Sequence, residues 1–184
     1  MNLNTVIEAK RIRLVAPSME LQPQMLEAIV ASKDELAAFL PWVPYALTQA
    51  DSEKNTKQAM DNFESFNNEL RFSIVDKSNN KLVGAIGLLI KDKSVPYFEI
   101  GYWVRTDCMG NGYISEAVRA LEKYAFEVLN AQRIEIRCDD SNIKSKSVAQ
   151  RCGYQFEGVM KNTNRLPSGE LSSTLVFAKM SVNS

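Results

Sequence analysis

The strongest pattern of apolar positions along the chain falls between residues 113 and 129. Apolar side chains recur there every three or four residues, which is the spacing of one face of an α-helix. The positions are Ile114, Ala117, Val118, Leu121, Tyr124, Ala125, Val128 and Leu129. Weaker forms of this pattern predict helices at 22–38, at 51–70 and at 142–151, the last closed by Gly153.

Elsewhere polar and apolar residues alternate, which is typical of strands with one buried face. The predicted strands are 10–15, 72–76, 81–90, 97–105, 133–138, 155–162 and 171–180, with turns at 78–80 and in PSGE at 167–170. This mixed order predicts an α+β fold in which helices flank a largely antiparallel central sheet, within one domain spanning 1–184. We expect the strand–helix–strand stretch from 97 to 138 to be a parallel crossover.

Charge and composition exclude several classes of protein. Lysine and arginine number 22, as do aspartate and glutamate, so no basic excess favours a nucleic-acid partner. No apolar run is long enough for a membrane span, and the N-terminus has no apolar signal core, which predicts a cytoplasmic protein. A monomer and a homodimer are equally compatible with the sequence.

Histidine is absent, and this narrows the possible chemistry. Ser–His and Cys–His catalysis and histidine metal sites are excluded, so proton transfers would use Glu, Asp, Tyr, Lys, Cys or water. Cys108, Cys138 and Cys152 lack metal-ligand spacing, and no metal site is predicted. We interpret the three cysteines as reduced, small buried or half-buried residues.

Two glycines precede the strongest helix, in the stretch Met109-Gly110-Asn111-Gly112. Glycine permits positive φ and close approach of a ligand, and a helix N-terminus carries unpaired N–H groups and partial positive charge. The stretch therefore predicts an anion site, with an ordinary tight turn as the alternative. It has neither the Walker pattern nor the dinucleotide-binding pattern.

Four segments together resemble the GNAT superfamily of acyl-coenzyme A-dependent N-acetyltransferases. They are FEIGYWV at 98–104, MGNGYISEA at 109–117, NIKSKSVAQRCGY at 142–154 and FEGVM at 156–160. FLPWVP at 39–44 further resembles the subgroup that acetylates ribosomal-protein N-termini. The resemblance implies a GNAT-like sheet, acetyl-CoA as cosubstrate and direct acetyl transfer to an amine without an acyl-enzyme.

The resemblance also implies which residues bind coenzyme A. Pyrophosphate would be held by the backbone of Met109, Gly110, Asn111, Gly112, Tyr113 and Ile114, and pantetheine by the backbone of Tyr102, Trp103 and Val104 and by Asn142. Met109 replaces a polar family residue. Ile114 replaces a small one, and it either crowds the phosphates or points into the core. For Asn142 the alternative is a helix cap.

The implied catalytic residues are Glu99 and Ser145. Glu99 would be the base, directly or through water, with a structural carboxylate paired to arginine as the alternative. Ser145, in the subgroup pattern Asn-x-x-Ser, would donate to the departing sulfur, and the alternative is a solvated helix serine. Many family members have tyrosine four residues further along, where this chain has Ala149.

The acceptor is the least determined part of the prediction. Trp42 lies where the subgroup lines its acceptor slot, and Phe39 and Tyr45 would flank the opening, although Trp42 is equally compatible with a core position. An acidic residue found in related proteins is missing from 162–165, and Glu157 is expected in a turn. The hypotheses are acetylation of a protein N-terminus, acetylation of a small amine such as a polyamine, amino acid or antibiotic, and coenzyme A binding without turnover.

Overall fold

The computed structural model of the protein describes residues 1–166 and 169–181. Its strands are β1 (Val6–Glu8), β2 (Ile12–Val15), β3 (Glu69–Asp76), β4 (Leu82–Asp92), β5 (Tyr97–Val104), β6 (Arg133–Asp139), β7 (Gln155–Arg165) and β8 (Leu171–Met180). In this part of the chain they form one sheet of order β1-β2-β3-β4-β5-β6-β8-β7. Of the neighbouring pairs, β5–β6 is parallel and the others are antiparallel, as expected for residues 97–138.

The helices are α1 (Gln22–Ala31), α2 (Lys33–Ala37), α3 (Gln49–Ser65), α4 (Tyr113–Glu127) and α5 (Ile143–Arg151), with short 3-10 helices at Val43–Tyr45 and Thr106–Cys108. The main hydrophobic cluster joins α4 to strands of the sheet, and Ala117, Val118 and Leu121 are fully buried in it. None of the helices in the described ranges is long and apolar enough to cross a membrane.

Several boundaries differ from the sequence prediction. The helix expected at 22–38 is divided at Ser32, whose buried hydroxyl accepts a hydrogen bond from the Thr106 backbone N–H at 3.0 Å. The helix expected at 51–70 ends at Ser65, because Phe66 adopts a left-handed conformation and β3 begins at Glu69. The unpredicted β1 covers the edge of β2. Of the turn expected at 167–170, Pro167 and Ser168 lie outside the described residues.

Strand β5 divides the molecule into two functional sides. Its side chains alternate between the two faces of the sheet, so Phe98, Ile100 and Tyr102 share one face and Glu99 and Trp103 the other. The first face packs against the α4 cluster. On the second face, Trp103 packs against the hydrophobic cluster formed by Ile29, Leu36, Val43 and Ala46.

We expect Leu121→Ala to lower the free energy of unfolding by about 3 kcal/mol, because the substitution leaves a cavity where α4 meets the sheet. Urea unfolding followed by circular dichroism measures the change. Lys123→Ala, on the exposed side of the same helix, is the matched control and should change the free energy by less than about 0.5 kcal/mol. Equal effects of the two substitutions would contradict this packing of α4.

Candidate active site

The glycine turn before α4 has the geometry of an anion site. Gly110 and Gly112 adopt φ of 79° and 77°, which glycine reaches without strain. Gly112 is the N-cap residue of α4, and no side chain caps the helix. A Cβ built on Gly110 would meet no atom within 4 Å. The first N–H groups of α4 thus lack a side-chain cap, and among the described residues the space beside Gly110 is open, so the turn fits a pyrophosphate group.

The side chains that follow the turn anchor the helix rather than crowd this space. Ile114 is buried in the core with Ala117 and Val118, so the second of its two expected orientations is the one observed. The Tyr113 hydroxyl donates to Asp76 Oδ2 at 2.6 Å. This bond is the main reason that the pKa of Asp76 is lowered and that of Tyr113 raised.

Two cations beside the turn were missed by the sequence analysis. Lys144, in the first turn of α5, places Nζ 3.4 Å from the sulfur of Met109. The Arg11 side chain donates to the backbone oxygen of Asn111 at 3.0 Å and pairs with Glu116 at 2.8 Å. Lys144 therefore brings positive charge to Met109, the position at which the resemblance described above would have a polar residue. Its position beside the turn is fixed by the packing of α5, which no local signal reveals.

The backbone edge expected to bind pantetheine lies where the sheet opens. Strands β5 and β6 pair at Tyr97, Phe98 and Glu99, and no pairing continues beyond these residues. Tyr102, Trp103 and Val104 remain paired with β4 on one side. Within the described part of the chain no strand lies on their other side, so an extended chain bearing amides fits there.

Helix α5 brings Asn142 and Ser145 to the same opening. Asn142 caps the helix, since its side-chain oxygen accepts from the Ser145 backbone N–H at 3.0 Å. Its NH2 group makes no hydrogen bond with the described residues. The Ser145 hydroxyl lies 2.8 Å from the hydroxyl of Tyr102, so its environment is a partly buried polar pair and not open solvent.

Glu99 lies on the face of β5 opposite to Tyr102, where two cations hold its carboxylate. Its Oε2 atom lies 3.1 Å from Lys91 Nζ and 3.6 Å from Arg137 Nε, and 18% of the side chain is exposed. The arginine pairing given above as the alternative is thus present, together with a lysine. Both cations lie nearest to Oε2, and among the described residues no hydrogen bond to the Oε1 atom is found, so this carboxylate oxygen is available as an acceptor.

The ion pairs continue along the sheet from Arg137. Its Nε atom lies 2.7 Å from Oε2 of the buried Glu135, and Arg133 pairs with both Glu135 and Glu157. Burial would raise the pKa of Glu135, but hydrogen bonds from Tyr97, Arg133 and Arg137 lower it. The turn expected at Glu157 is wrong, because this residue lies within β7, at a register shift between Phe156 and Gly158.

The three predicted acceptor residues are brought near β5 to different extents. The Trp42 and Trp103 rings lie 6.4 Å apart and tilted by 55°, and Trp42 remains 38% exposed. Phe39 and Tyr45 are exposed on the same segment. Trp42 therefore combines a packed edge with an accessible face, and it shares the side of the sheet on which Glu99 lies.

The three cysteines are buried or half-buried, as expected from the sequence. Cys138 and Cys152 are buried, Cys108 is partly buried, and all three are free. Burial is the main cause that raises the pKa of each thiol. Within residues 1–166 and 169–181, no three His, Cys, Asp or Glu side chains are grouped as metal ligands.

Comparison with known proteins identifies the family. Residues 11–155 match the family described as Acetyltransferase (GNAT) domain. The chain belongs to the GNAT family. Its relatives include the ribosomal-protein-serine acetyltransferase of Escherichia coli, 26% identical and covering 88% of this chain and 89% of the relative. The N-acetyltransferase p20 of Bacillus licheniformis is 26% identical over 90% of this chain and 92% of its own length.

Solved structures confirm the GNAT fold. The ribosomal L7/L12 α-N-protein acetyltransferase RimL, described in complex with coenzyme A, has a TM-score of 0.91 at 21% identity, covering 98% of this chain and 100% of that chain. The microcin C7 self-immunity acetyltransferase MccE, in complex with acetyl-CoA and AMP, has a TM-score of 0.85 at 24% identity, with 93% of both chains covered.

For the glycine turn of this GNAT protein, we expect Gly112→Ala to weaken coenzyme A binding about tenfold. Alanine at positive φ costs about 1–2 kcal/mol, and relief of that strain turns the N–H groups away from the phosphates. Titration calorimetry measures the dissociation constant. Gly158→Ala is the control, since Gly158 has open space and no positive φ. Unchanged binding by Gly112→Ala would exclude the turn from the site.

Proposed function

We propose that this GNAT N-acetyltransferase transfers the acetyl group of acetyl-CoA to the α-amine of a polypeptide N-terminus, that of a cytoplasmic ribosomal protein. The observation that carries the proposal is the placement of Glu99 on the same face of β5 as Trp103, which packs with the half-exposed Trp42. A carboxylate and an accessible aromatic surface thus share one side of the strand. The relationship to the ribosomal-protein-serine acetyltransferase supports the same class of acceptor.

The acidity of the acceptor amine favours an N-terminus over lysine. An α-amino group has a pKa near 8, so about a tenth of it is neutral at pH 7, whereas well under a thousandth of a lysine amine is neutral. The neutral tenth can attack without prior deprotonation, and a positioned carboxylate then needs to remove only the one proton that the nitrogen loses as the amide forms. In our proposal the Oε1 atom of Glu99 takes that proton, directly or through water, while Lys91 and Arg137 hold Oε2.

Acetyl-CoA supplies the thioester carbonyl that the neutral amine attacks. The backbone edge of β5 beyond Glu99 offers N–H groups to the pantetheine amides and to the developing oxyanion. The glycine turn and Lys144 hold the pyrophosphate. Ser145 donates a hydrogen bond to the sulfur when the carbon–sulfur bond breaks. The electron pair of that bond stays on the sulfur.

We expect Glu99→Gln to lower kcat about 100-fold with a peptide acceptor, because glutamine keeps the shape but accepts no proton. The KM for acetyl-CoA should stay within about twofold, since Glu99 lies on the face away from Tyr102 and α5. Thiol release measured with a chromogenic reagent gives both constants. Glu127→Gln, exposed at the end of α4, is the control, and an unchanged kcat for Glu99→Gln would remove the base assignment.

The acceptor class is tested by thiol release from acetyl-CoA with a panel of amines. The panel contains peptides beginning with Ser, Ala or Met, together with spermidine and free amino acids. We expect turnover with peptides, and we expect Trp42→Ala to raise the peptide KM about tenfold through lost ring contact. Turnover with small amines alone would assign the protein to metabolite acetylation. Coenzyme A binding without any turnover would indicate a binding module.

A further inference from the structure

The hydroxyl of Tyr102 lies beside Ser145, the residue proposed above to donate a hydrogen bond to the departing sulfur. Tyr102 lies on β5 just beyond the last residue paired with β6, so its side chain stands at the opening of the sheet. Its Oη atom is 2.8 Å from Oγ and 3.3 Å from the backbone oxygen of Ser145. No other hydrogen-bond partner of Oη is found in the described ranges. The phenol is therefore committed to Ser145.

Ser145 differs in this respect from its neighbour in the same helix. The hydroxyl of Ser147 donates back to the carbonyl oxygen of Ile143 at 2.8 Å, which is the usual use of a serine in a helix. Ser145 lies at the turn facing β5 and meets the phenol. A serine hydroxyl has one hydrogen to donate and two lone pairs to accept with. A donor that binds one lone pair of the Ser145 oxygen therefore limits the directions in which the Ser145 hydrogen can point.

The direction of the Tyr102–Ser145 bond follows from acidity. Either hydroxyl can donate in this contact. A phenol, with a pKa near 10, is more acidic than an aliphatic alcohol and the better donor, so we assign tyrosine as the donor and serine as the acceptor. Burial raises the pKa of Tyr102, so the phenol stays protonated and keeps its hydrogen throughout the working range. The hydrogen of Ser145 is then not committed to Tyr102, and the neighbouring Cys138 thiol is only a weak acceptor for it.

We propose that Tyr102 is a positioning residue, which donates to Ser145 and so directs the serine hydrogen to the sulfur of the departing coenzyme A thiolate. The inference rests on the proposed role of Ser145. Acceptance of one hydrogen bond strengthens donation of the next, so the phenol also polarises the serine hydroxyl. The carbon–sulfur electron pair moves to sulfur, no proton leaves Tyr102 or Ser145, and the thiolate departs hydrogen-bonded. The phenol reaches the site from β5, since the family's tyrosine position on α5 is the buried Ala149.

The test is a titration of the thiol of bound coenzyme A, which needs no acceptor. Thiolate absorbance in the ultraviolet is followed against pH for the coenzyme A complex, with the desulfo-coenzyme A complex as blank to remove the protein's own cysteines. Loss of one hydrogen bond to the thiolate should raise the apparent pKa of the bound thiol by about half to one pH unit in Tyr102→Phe and in Ser145→Ala. Ser147→Ala is the matched control and should change nothing.

The double variant separates positioning from packing. If Tyr102 acts through Ser145, Tyr102→Phe adds no further change to the thiol titration in the Ser145→Ala background. With an active acceptor, kcat should fall about fivefold in Tyr102→Phe while the dissociation constant of coenzyme A stays within about twofold. Additive effects of the two substitutions would overturn the proposal, and so would an unchanged titration in Tyr102→Phe. A shift in Ser145→Ala alone would overturn the role of Tyr102 and leave Ser145 in place. If no amine in the panel is acetylated while the thiol titration shifts as expected, the result contradicts the proposed acceptor and not the role of Tyr102.

Discussion

The separation of β5 from β6 after Glu99 is the constraint on which the rest of the site depends. Parallel strands satisfy backbone N–H and C=O groups by pairing along their length, and unpaired groups inside a protein are costly. Here β5 keeps β4 as its partner on one side, while on the other the strand edge from Ile100 to Val104 opens. Such an edge persists only where water or a ligand can reach it. The opening therefore places a row of backbone donors and acceptors where a pantetheine chain can use them.

The same strand separates two kinds of chemistry by its alternation alone. Successive side chains of β5 project to opposite faces, so Glu99 and Tyr102 cannot share a side. On one face stand the ion pairs and the tryptophans, and on the other α4 and α5 with the glycine turn. In the proposed reaction the amine and the coenzyme thus approach from opposite sides of a single strand. In that proposal, the groups assigned to proton removal and to thiolate departure do not compete for the same space.

Residue patterns within single elements could be predicted from the sequence, whereas contacts between elements could not. The alternation in 97–105 assigns Glu99 and Tyr102 to different faces. The helical spacing after Gly112 leaves two orientations open for Ile114, of which the structure has the one in the core. The Tyr102–Ser145 bond joins residues 43 apart in sequence, and it exists because the opened sheet lets α5 approach β5. The pairing of Lys91 with Glu99 likewise depends on the register of β4 against β5, which a shift near Ile90 alters.

The charges around Glu99 fix the position of its carboxylate. Lys91 and Arg137 both hold Oε2, and Arg137 is itself held by Glu135, whose side chain is only 4% exposed. Removal of one member of such a chain would leave a poorly hydrated charge unpaired, so the members fix one another. This arrangement suits an acceptor that is already partly neutral, because the carboxylate has to be in the right place more than it has to be a strong base. In the proposed function this links the ion pairs on the sheet to an N-terminal acceptor, because an amine as fully protonated as lysine would need a stronger base than such a carboxylate.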